Sequence, residues 1–334
     1  MHQGAKWPLL ASMAIFMVVT MWVSNNGQQI IVNSEAIPEE NLLSVIVKKP
    51  VLVQRSLTPK EITSNWKKTQ QHRRRDLKQV CSGLSNSSMT QDYLYHNQKL
   101  LSHLLVDHKY RAVYCYIPKV ACTNWKKLWL QMKNITYKTS TEAHSKSAYL
   151  RMNIRKIKSK EYWYVMKTYK KFMIVRNPIE RLVSAYRNKF EHSYNESIFW
   201  KMSINIMQHY RKWTDVPINA TLVTFKEFVQ FLIDSVTQGE DLNEHWKSYE
   251  GLCHPCAIQY DYIGRYESLS EDSNQILREL KVPSNLQFPE FRPKNTLTLV
   301  QQYLDTLHPQ QRKELYRIYK RDYLLFKYQQ ISAL

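Results

Sequence analysis

Glycine is scarce, with six residues in a chain of 334. That scarcity excludes a collagen-like chain and a Gly-rich disordered one. No internal repeat is evident, so nothing marks a solenoid or a propeller. The phosphate loop GxxxxGK[ST] is missing, which counts against a kinase or nucleotide triphosphatase of the usual design. Acidic residues are also short, with Asp+Glu 28 against Lys+Arg 48, a formal net charge of +20. A field of that sign concentrates polyanions, whether nucleic acid, anionic lipid, acidic polysaccharide or phosphorylated cofactor. The five cysteines are Cys81, Cys115, Cys122, Cys253 and Cys256. In a secretory context an odd count leaves one thiol unpaired or paired between chains. Cys253 and Cys256 form a C-x-x-C without a second pair or a histidine array, which argues against zinc. The motif also lacks the strand-to-helix context of a thioredoxin-like redox pair, so a structural disulfide involving one of the two is expected.

What remains is ordinary for a folded protein, 43% hydrophobic and 12% aromatic. The length suits one large domain or two small ones. Residues 7–23 are an uncharged apolar run preceded by Lys6. As a helix the run would span roughly 25 Å, enough for a thin bilayer. The positive-inside rule then leaves residues 1–6 in the cytosol and the rest in the lumen, a type II topology. A cleaved signal peptide is the alternative, but small residues near a cut site are sparse after Val23. Four N-x-S/T sequons, at Asn86, Asn134, Asn195 and Asn219, fit a luminal chain open to glycosylation. Residues 24–75 carry scattered prolines and end in the basic cluster His72–Arg75. They read as a stem whose charges are solvated or bind an acidic polymer. The catalytic domain is expected over 76–334.

From residue 76 the chain grows denser in apolar and aromatic residues. Residues 112–117 (AVYCYI) predict a buried strand and 123–132 an amphipathic helix. A second pair is 171–175 and 179–190, with Pro178 near the first helical turn. A third is 260–264 and 268–280, where Ser268 and Glu271 have capping-box spacing. Residues 310–326 predict a final amphipathic helix. Repeated strand–turn–helix units predict an α/β domain with a central, mostly parallel sheet.

Two of these junctions carry chemistry. In the segment from Tyr114 to Trp125 a strand, a tight loop and a helix N-terminus make an anion site of free backbone N–H groups and helix dipole. Lys119 places positive charge where a leaving phosphate gains negative charge, and Thr123 and Asn124 add side-chain donors. In the second segment, Arg176 at a strand end can clamp a phosphate with its planar fork. Ser184, about two helical turns on, can reach the same anion. The plainer alternatives are a loop lysine and a solvated face of Arg176, Arg181 and Arg187.

Together the segments PKVACTNW (118–125) and RNPIERLVSAYRNKF (176–190) resemble the two PAPS-binding motifs of sulfotransferases, where PAPS is 3′-phosphoadenylyl sulfate. More narrowly they resemble the Golgi carbohydrate sulfotransferases, the group with chondroitin, dermatan and GalNAc 4-O-sulfotransferases. The resemblance continues through Asn243-Glu-His-Trp246, Leu252-Cys-His-Pro-Cys256 and Tyr260 to Glu267, and covers the chain from about residue 80. It implies the α/β sulfotransferase fold, preceded here by one transmembrane helix, and a Golgi-membrane location with a luminal catalytic domain. It implies that Pro118, Lys119, Val120, Ala121, Cys122, Thr123 and Asn124 hold the 5′-phosphosulfate. Arg176 and Ser184 would bind the 3′-phosphate, within a motif of Asn177, Pro178, Ile179, Glu180, Arg181, Leu182 and Val183 that shapes loop and helix. The partners expected are an acidic glycosaminoglycan or other glycan acceptor and the membrane, with no nucleic acid; the oligomeric state stays open.

Sulfuryl transfer, like phosphoryl transfer, is an in-line attack in which positioning and charge stabilisation dominate. The transferred group carries less charge than a γ-phosphate, so lysine and backbone donors suffice and no metal is expected. A base must take the sugar hydroxyl proton. His144, in Thr141-Glu-Ala-His144, is the expected base, with Glu142 and His192 in reserve. The expected acceptor is the 4-position of GalNAc in chondroitin or dermatan, which suits the basic excess. The alternative is terminal GalNAc of N-linked glycans. Of other classes, a kinase-like enzyme would need magnesium, and a non-catalytic polyanion-binding glycoprotein would leave both phosphate motifs without a purpose.

Overall fold

Four short strands form the centre of the fold in a computed structural model that describes residues 58–84, 89–152, 157–191, 198–211, 222–291, 297–332 and 334. The compact unit holding them runs over Leu57–Leu334. The strands are β1 (Leu104–Asp107), β2 (Ala112–Cys115), β3 (Lys170–Val175) and β4 (Tyr262–Arg265), side by side in that order. β2 pairs with β3 and β3 with β4 in parallel, Tyr114 opposite Phe172 and Phe172 opposite Tyr262. β1 runs antiparallel to β2, with Leu104 opposite Cys115. Nearly every residue of these strands is buried, as strands covered on both faces must be.

The expected mostly parallel sheet is therefore corrected to a small mixed one. β1 escapes sequence reading because its hairpin has no glycine signal. Instead the Asp107 carboxylate accepts the Tyr110 N–H at 2.8 Å, and Arg111 takes the left-handed conformation, φ 49°. β3 and β4 approach so closely that a Cβ on Gly264 would strike Ile174, which is why β4 carries a glycine in mid-strand.

After β2 comes α3 (Cys122–Met132), and after β3 comes α6 (Pro178–Tyr186) followed by a π-helical turn, Arg187–Glu191. The helix expected over 179–190 thus changes its hydrogen bonding midway. α4 (Ser140–Ala148) packs against α3. Two apolar clusters result. One packs Trp125 and Trp129 of α3 on Tyr114 and Phe172 of the sheet, the latter two stacked at 4.9 Å between ring centroids. The other joins α6 to α8 (Phe225–Thr237) and α13 (Pro309–Phe326) through Leu182, Phe228, Trp246 and Tyr319.

The segment read as a stem is helical from Pro59: α1 (Pro59–Gly83) opens on a capping box of Thr58 and Glu61. It buries Trp66 and Leu77, and Asp272, itself buried, accepts hydrogen bonds from Trp66 Nε1 at 2.7 Å and Arg73 at 2.9 Å. Arg74 donates to the Asp261 carbonyl at 2.6 Å. Two arginines of the basic cluster thus hold α1 on the domain. Asp272 also takes the hydroxyl of Ser268 at 2.6 Å, so the Ser268–Glu271 capping box does not form at the start of α11 (Leu269–Glu279).

Two disulfides cross the unit, Cys81–Cys256 and Cys115–Cys253, and Cys122 is a buried free thiol. Both cysteines of the C-x-x-C are structural, and the odd one is left over. Asn134 stands exposed in the turn after α3, while Asn86, Asn195 and Asn219 lie outside the described residues.

The anchored topology is corrected as well. Among the described residues no helix is long and apolar enough to cross a membrane. The run 7–23, on which that expectation stood, lies outside the described residues. The transmembrane helix, the membrane as partner and the Golgi-membrane location therefore have no support in the structure and are set aside.

Candidate active site

At the carboxyl ends of β2 and β3, where parallel strands leave a crevice between their connections, a cleft of about 760 Å³ opens. Pro118, Lys119, Ala121, Cys122, Thr123 and Asn124 line it from the first junction, and Arg176 and Ser184 from the second. Residues 118 and 184, far apart in sequence, meet because β2 and β3 are adjacent and parallel.

The first loop is shaped for an anion by its backbone. Lys119 and Ala121 both adopt left-handed conformations, φ 71° and 52°. Each non-glycine residue held there costs about 1–2 kcal/mol. Ala121 is the N-cap of α3 and has no side chain to cap with. Among the described residues the amides of Cys122, Thr123 and Asn124 find no protein acceptor. A helix N-terminus left open in this way suits a phosphate or sulfate group. The Lys119 amine is pulled down to about 8 by burial and by the neighbouring Lys189 charge.

Arg181 sets this loop in place. Fully buried on α6, it donates to the carbonyls of Pro118 at 3.0 Å, Glu244 at 2.9 Å and Lys247 at 2.7 Å. One guanidinium thus ties the second motif to the first and to the segment 243–247.

The second loop is held differently. The Asn177 side chain accepts the N–H groups of Ile179 at 3.1 Å and Glu180 at 3.4 Å, so these amides are already capped. Tyr249 donates to the Arg176 carbonyl at 2.6 Å and accepts its N–H at 3.1 Å. The Arg176 guanidinium lies 4.2 Å from the centre of the Tyr266 ring and 3.2 Å from the Glu180 carboxylate. Positioned by three neighbours, it faces the cleft.

Of the residues expected to bind the donor, Val120, Asn177, Pro178, Ile179, Glu180, Arg181, Leu182 and Val183 do not line the cleft. Most of these are buried behind it. His144 does line it, reached from α4. Its Nε2 lies 3.0 Å from Thr123 Oγ1 and its Nδ1 3.1 Å from Lys126 Nζ, so both ring nitrogens are engaged. Burial and the Lys126 charge lower it to about 4, and the ring is neutral near pH 7. Glu142 caps the Lys138 amide and pairs with Lys146 away from the cleft, and His192 lies outside the described residues.

Sequence reasoning missed Lys126, Lys189, Glu244, His245, Tyr266 and Phe291, all of which line the cleft. Lys126 had a signal: with Thr123 it makes an i, i+3 pair on one face of α3. The segment 243–246 was matched but given no role. Lys119, Lys126, Arg176 and Lys189 make the lining strongly cationic, with Glu244 its one carboxylate among the described residues. Tyr266 and Phe291 meet edge to face at 4.9 Å.

A sequence model described as Sulfotransferase family matches residues 102–329, well over half of the chain. Carbohydrate sulfotransferase 11 of Rattus norvegicus is 38% identical over 280 residues, covering 79% of this chain and 77% of that protein. Carbohydrate sulfotransferase 11 of Danio rerio is 38% identical over 77% of this chain and 75% of its own length. Carbohydrate sulfotransferase 9 of Homo sapiens is 35% identical over 79% of this chain and 62% of its own length. No solved structure gives a significant match. An open helix N-terminus, a lysine and an arginine facing one cleft suit a doubly anionic donor, and with these likenesses the chain belongs to the sulfotransferase family, as a PAPS-dependent sulfotransferase acting on a carbohydrate.

Proposed function

We propose that the acceptor is the 4-hydroxyl of GalNAc in chondroitin or dermatan chains, and that the two loops divide the donor between them. The open amides of α3, with Lys119, Thr123 and Asn124, take the 5′-phosphosulfate. Arg176 and Ser184 take the 3′-phosphate, and the Tyr266–Phe291 pair offers apolar faces to the adenine. The acceptor oxygen attacks sulfur in line with the bridging S–O bond. That bond breaks and its electron pair leaves on the 5′-phosphate of adenosine 3′,5′-bisphosphate. Charge grows on that phosphate in the transition state, where Lys119 and the amides stabilise it. Arg181 and His144 position this machinery: the first fixes the loop, the second holds Thr123 and Lys126.

The observation that carries the reading is the meeting of an uncapped helix N-terminus, Lys119 and Arg176 on one cleft. The acceptor rests on the cationic lining, on the +20 charge and on the likeness of the 252–256 segment to chondroitin 4-O-sulfotransferases. The test is transfer of ³⁵S from labelled PAPS to desulfated chondroitin, dermatan and a GalNAc-terminated N-glycan in parallel. Label at the GalNAc 4-position of chondroitin or dermatan, lost in Lys119→Ala, is the expected result. Label on the N-glycan alone would replace the acceptor while keeping the enzyme class.

A further inference from the structure

The reaction needs a base, and the cleft holds three candidates: His144, Glu244 and His245. Hydrogen bonding separates them. His144 has no nitrogen to spare, since Lys126 approaches one and Thr123 the other. Glu244 Oε2 lies 3.4 Å from His103 Nε2. His103 Nδ1 meets the Tyr116 carbonyl at 2.9 Å, so Nδ1 carries the proton and Nε2 presents a lone pair to Glu244. That carboxylate therefore has no donor among the described residues to fix its orientation.

His245 is arranged differently. The Asn243 side-chain oxygen accepts the His245 backbone N–H at 3.1 Å, which fixes the amide with its oxygen toward the ring. The same oxygen lies 2.7 Å from His245 Nδ1. An oxygen there accepts only, so Nδ1 must be the protonated nitrogen and Nε2 the bare one. Nε2 has no hydrogen-bond partner among the described residues, and the ring lines the donor cleft. The tautomer is set by a backbone amide acting through one side chain, an arrangement suited to a base that must present one lone pair. The ring edge also rests on Phe199, at 5.5 Å between centroids, which limits its rotation.

We propose that His245 is the base of sulfuryl transfer, with Asn243 its positioning residue. This rests on the reading of the cleft as the transfer site, and not on the identity of the sugar. The acceptor hydroxyl gives its proton to His245 Nε2 as its oxygen bonds to sulfur; the imidazolium then returns the proton to water. Burial and the Lys189 and Lys119 charges hold the ring down to about 3. The donor brings phosphate and sulfuryl anions to those same lysines. Loading the donor therefore strengthens the base, and His245 is readied only when there is a group to transfer.

Two measurements test this on the full chain. The first needs no acceptor: ¹⁵N-labelled histidine spectra with and without adenosine 3′,5′-bisphosphate. A protonated Nδ1, a bare Nε2 and a pKa that rises on nucleotide binding are expected. An Nε2–H tautomer, or a pKa indifferent to the nucleotide, would overturn the proposal whatever the acceptor is. The second is kinetic, with whichever glycan accepts label. His245→Gln should lose about 10²–10⁴-fold in kcat while nucleotide affinity stays within about threefold. Added imidazole should restore His245→Ala but not His144→Ala. Asn243→Ala should lose less than His245→Gln and show a mixture of tautomers. Rescue of His144→Ala by imidazole, or of Glu244→Ala by formate, would move the base to that residue and overturn the assignment. Failure of all GalNAc acceptors, with the expected tautomer and the expected rise on nucleotide binding both seen, would strike the proposed acceptor alone.

Discussion

The two strand–loop–helix junctions of this protein are alike in sequence plan and opposite in how they treat the helix that follows. After β2, Ala121 leaves the N-terminus of α3 uncapped, and the chain accepts two left-handed non-glycine residues to present it. After β3, Asn177 caps α6 from within, and Arg176 and Ser184 are what this junction brings to the cleft. The difference matches the chemistry proposed for each. A group whose charge grows during reaction is best met by fixed dipoles that need not reorganise. A phosphate that only anchors the donor can be held by a side chain. Strain is thus concentrated at the loop proposed to meet the reacting group, while the loop proposed to anchor the donor is conventionally capped.

The largest effect expected is on the first loop. Lys119→Ala should lower kcat by about 10²–10³-fold, as loss of one preorganised donor does, with a smaller change in donor affinity. Arg176→Ala should do the reverse: donor binding weaker by about 10–100-fold, the worth of a charged hydrogen bond, with kcat much less affected. Steady-state kinetics together with nucleotide titration separate the two, and equal losses of kcat would erase the proposed division of labour.

A pH series sharpens the same contrast. Lys119 is charged below about 8 and neutral above, because burial and Lys189 lower it. Nucleotide affinity should then fall as pH rises beyond 8, by up to about tenfold per unit. Lys119→Arg should flatten that fall, since arginine does not titrate there. A dependence unchanged in Lys119→Arg would assign it to another lysine of the cleft.

Two stability measurements follow. The first loop hangs from Cys115, bonded to Cys253, whereas β3 ends without such a tie. Replacing both cysteines by serine should cost about 2–5 kcal/mol, the usual worth of a native disulfide, read by denaturant unfolding. Asn177→Ala should cost only about 1 kcal/mol, a lost helix cap.

Much of this contrast was open to a reader of the sequence. Pro178 and the apolar run before it announced β3 and α6, and the string 118–125 marked the first loop. Other features were closed. Nothing in Leu104–Asp107 signalled an antiparallel strand, because its turn uses Asp107 and Arg111 in place of glycine. Arg181 was expected to shape the second loop and its helix, but nothing along the chain showed that it is buried and holds three carbonyls, among them that of Pro118 in the first loop. His144, chosen for its position between the motifs, has both nitrogens occupied, while His245, over 50 residues beyond the second motif, presents one without a partner among the described residues.

Local chemistry was legible along the chain: that β2, β3 and β4 are buried, where they break, and which cation follows β2 and β3. These depend on residues adjacent in the chain, through periodicity, proline and capping preferences that act over a few positions. Only the tertiary structure decided what faces what. The adjacency of β2 and β3 brings Lys119 and Arg176 to one cleft, and Arg181 draws residues 244–247 to its rim. Hydrogen bonds there set the protonated nitrogen of each histidine. The contacts among the two loops and the 244–247 segment join residues 57 to 66 positions apart, and no pattern along the chain encodes the distance between them.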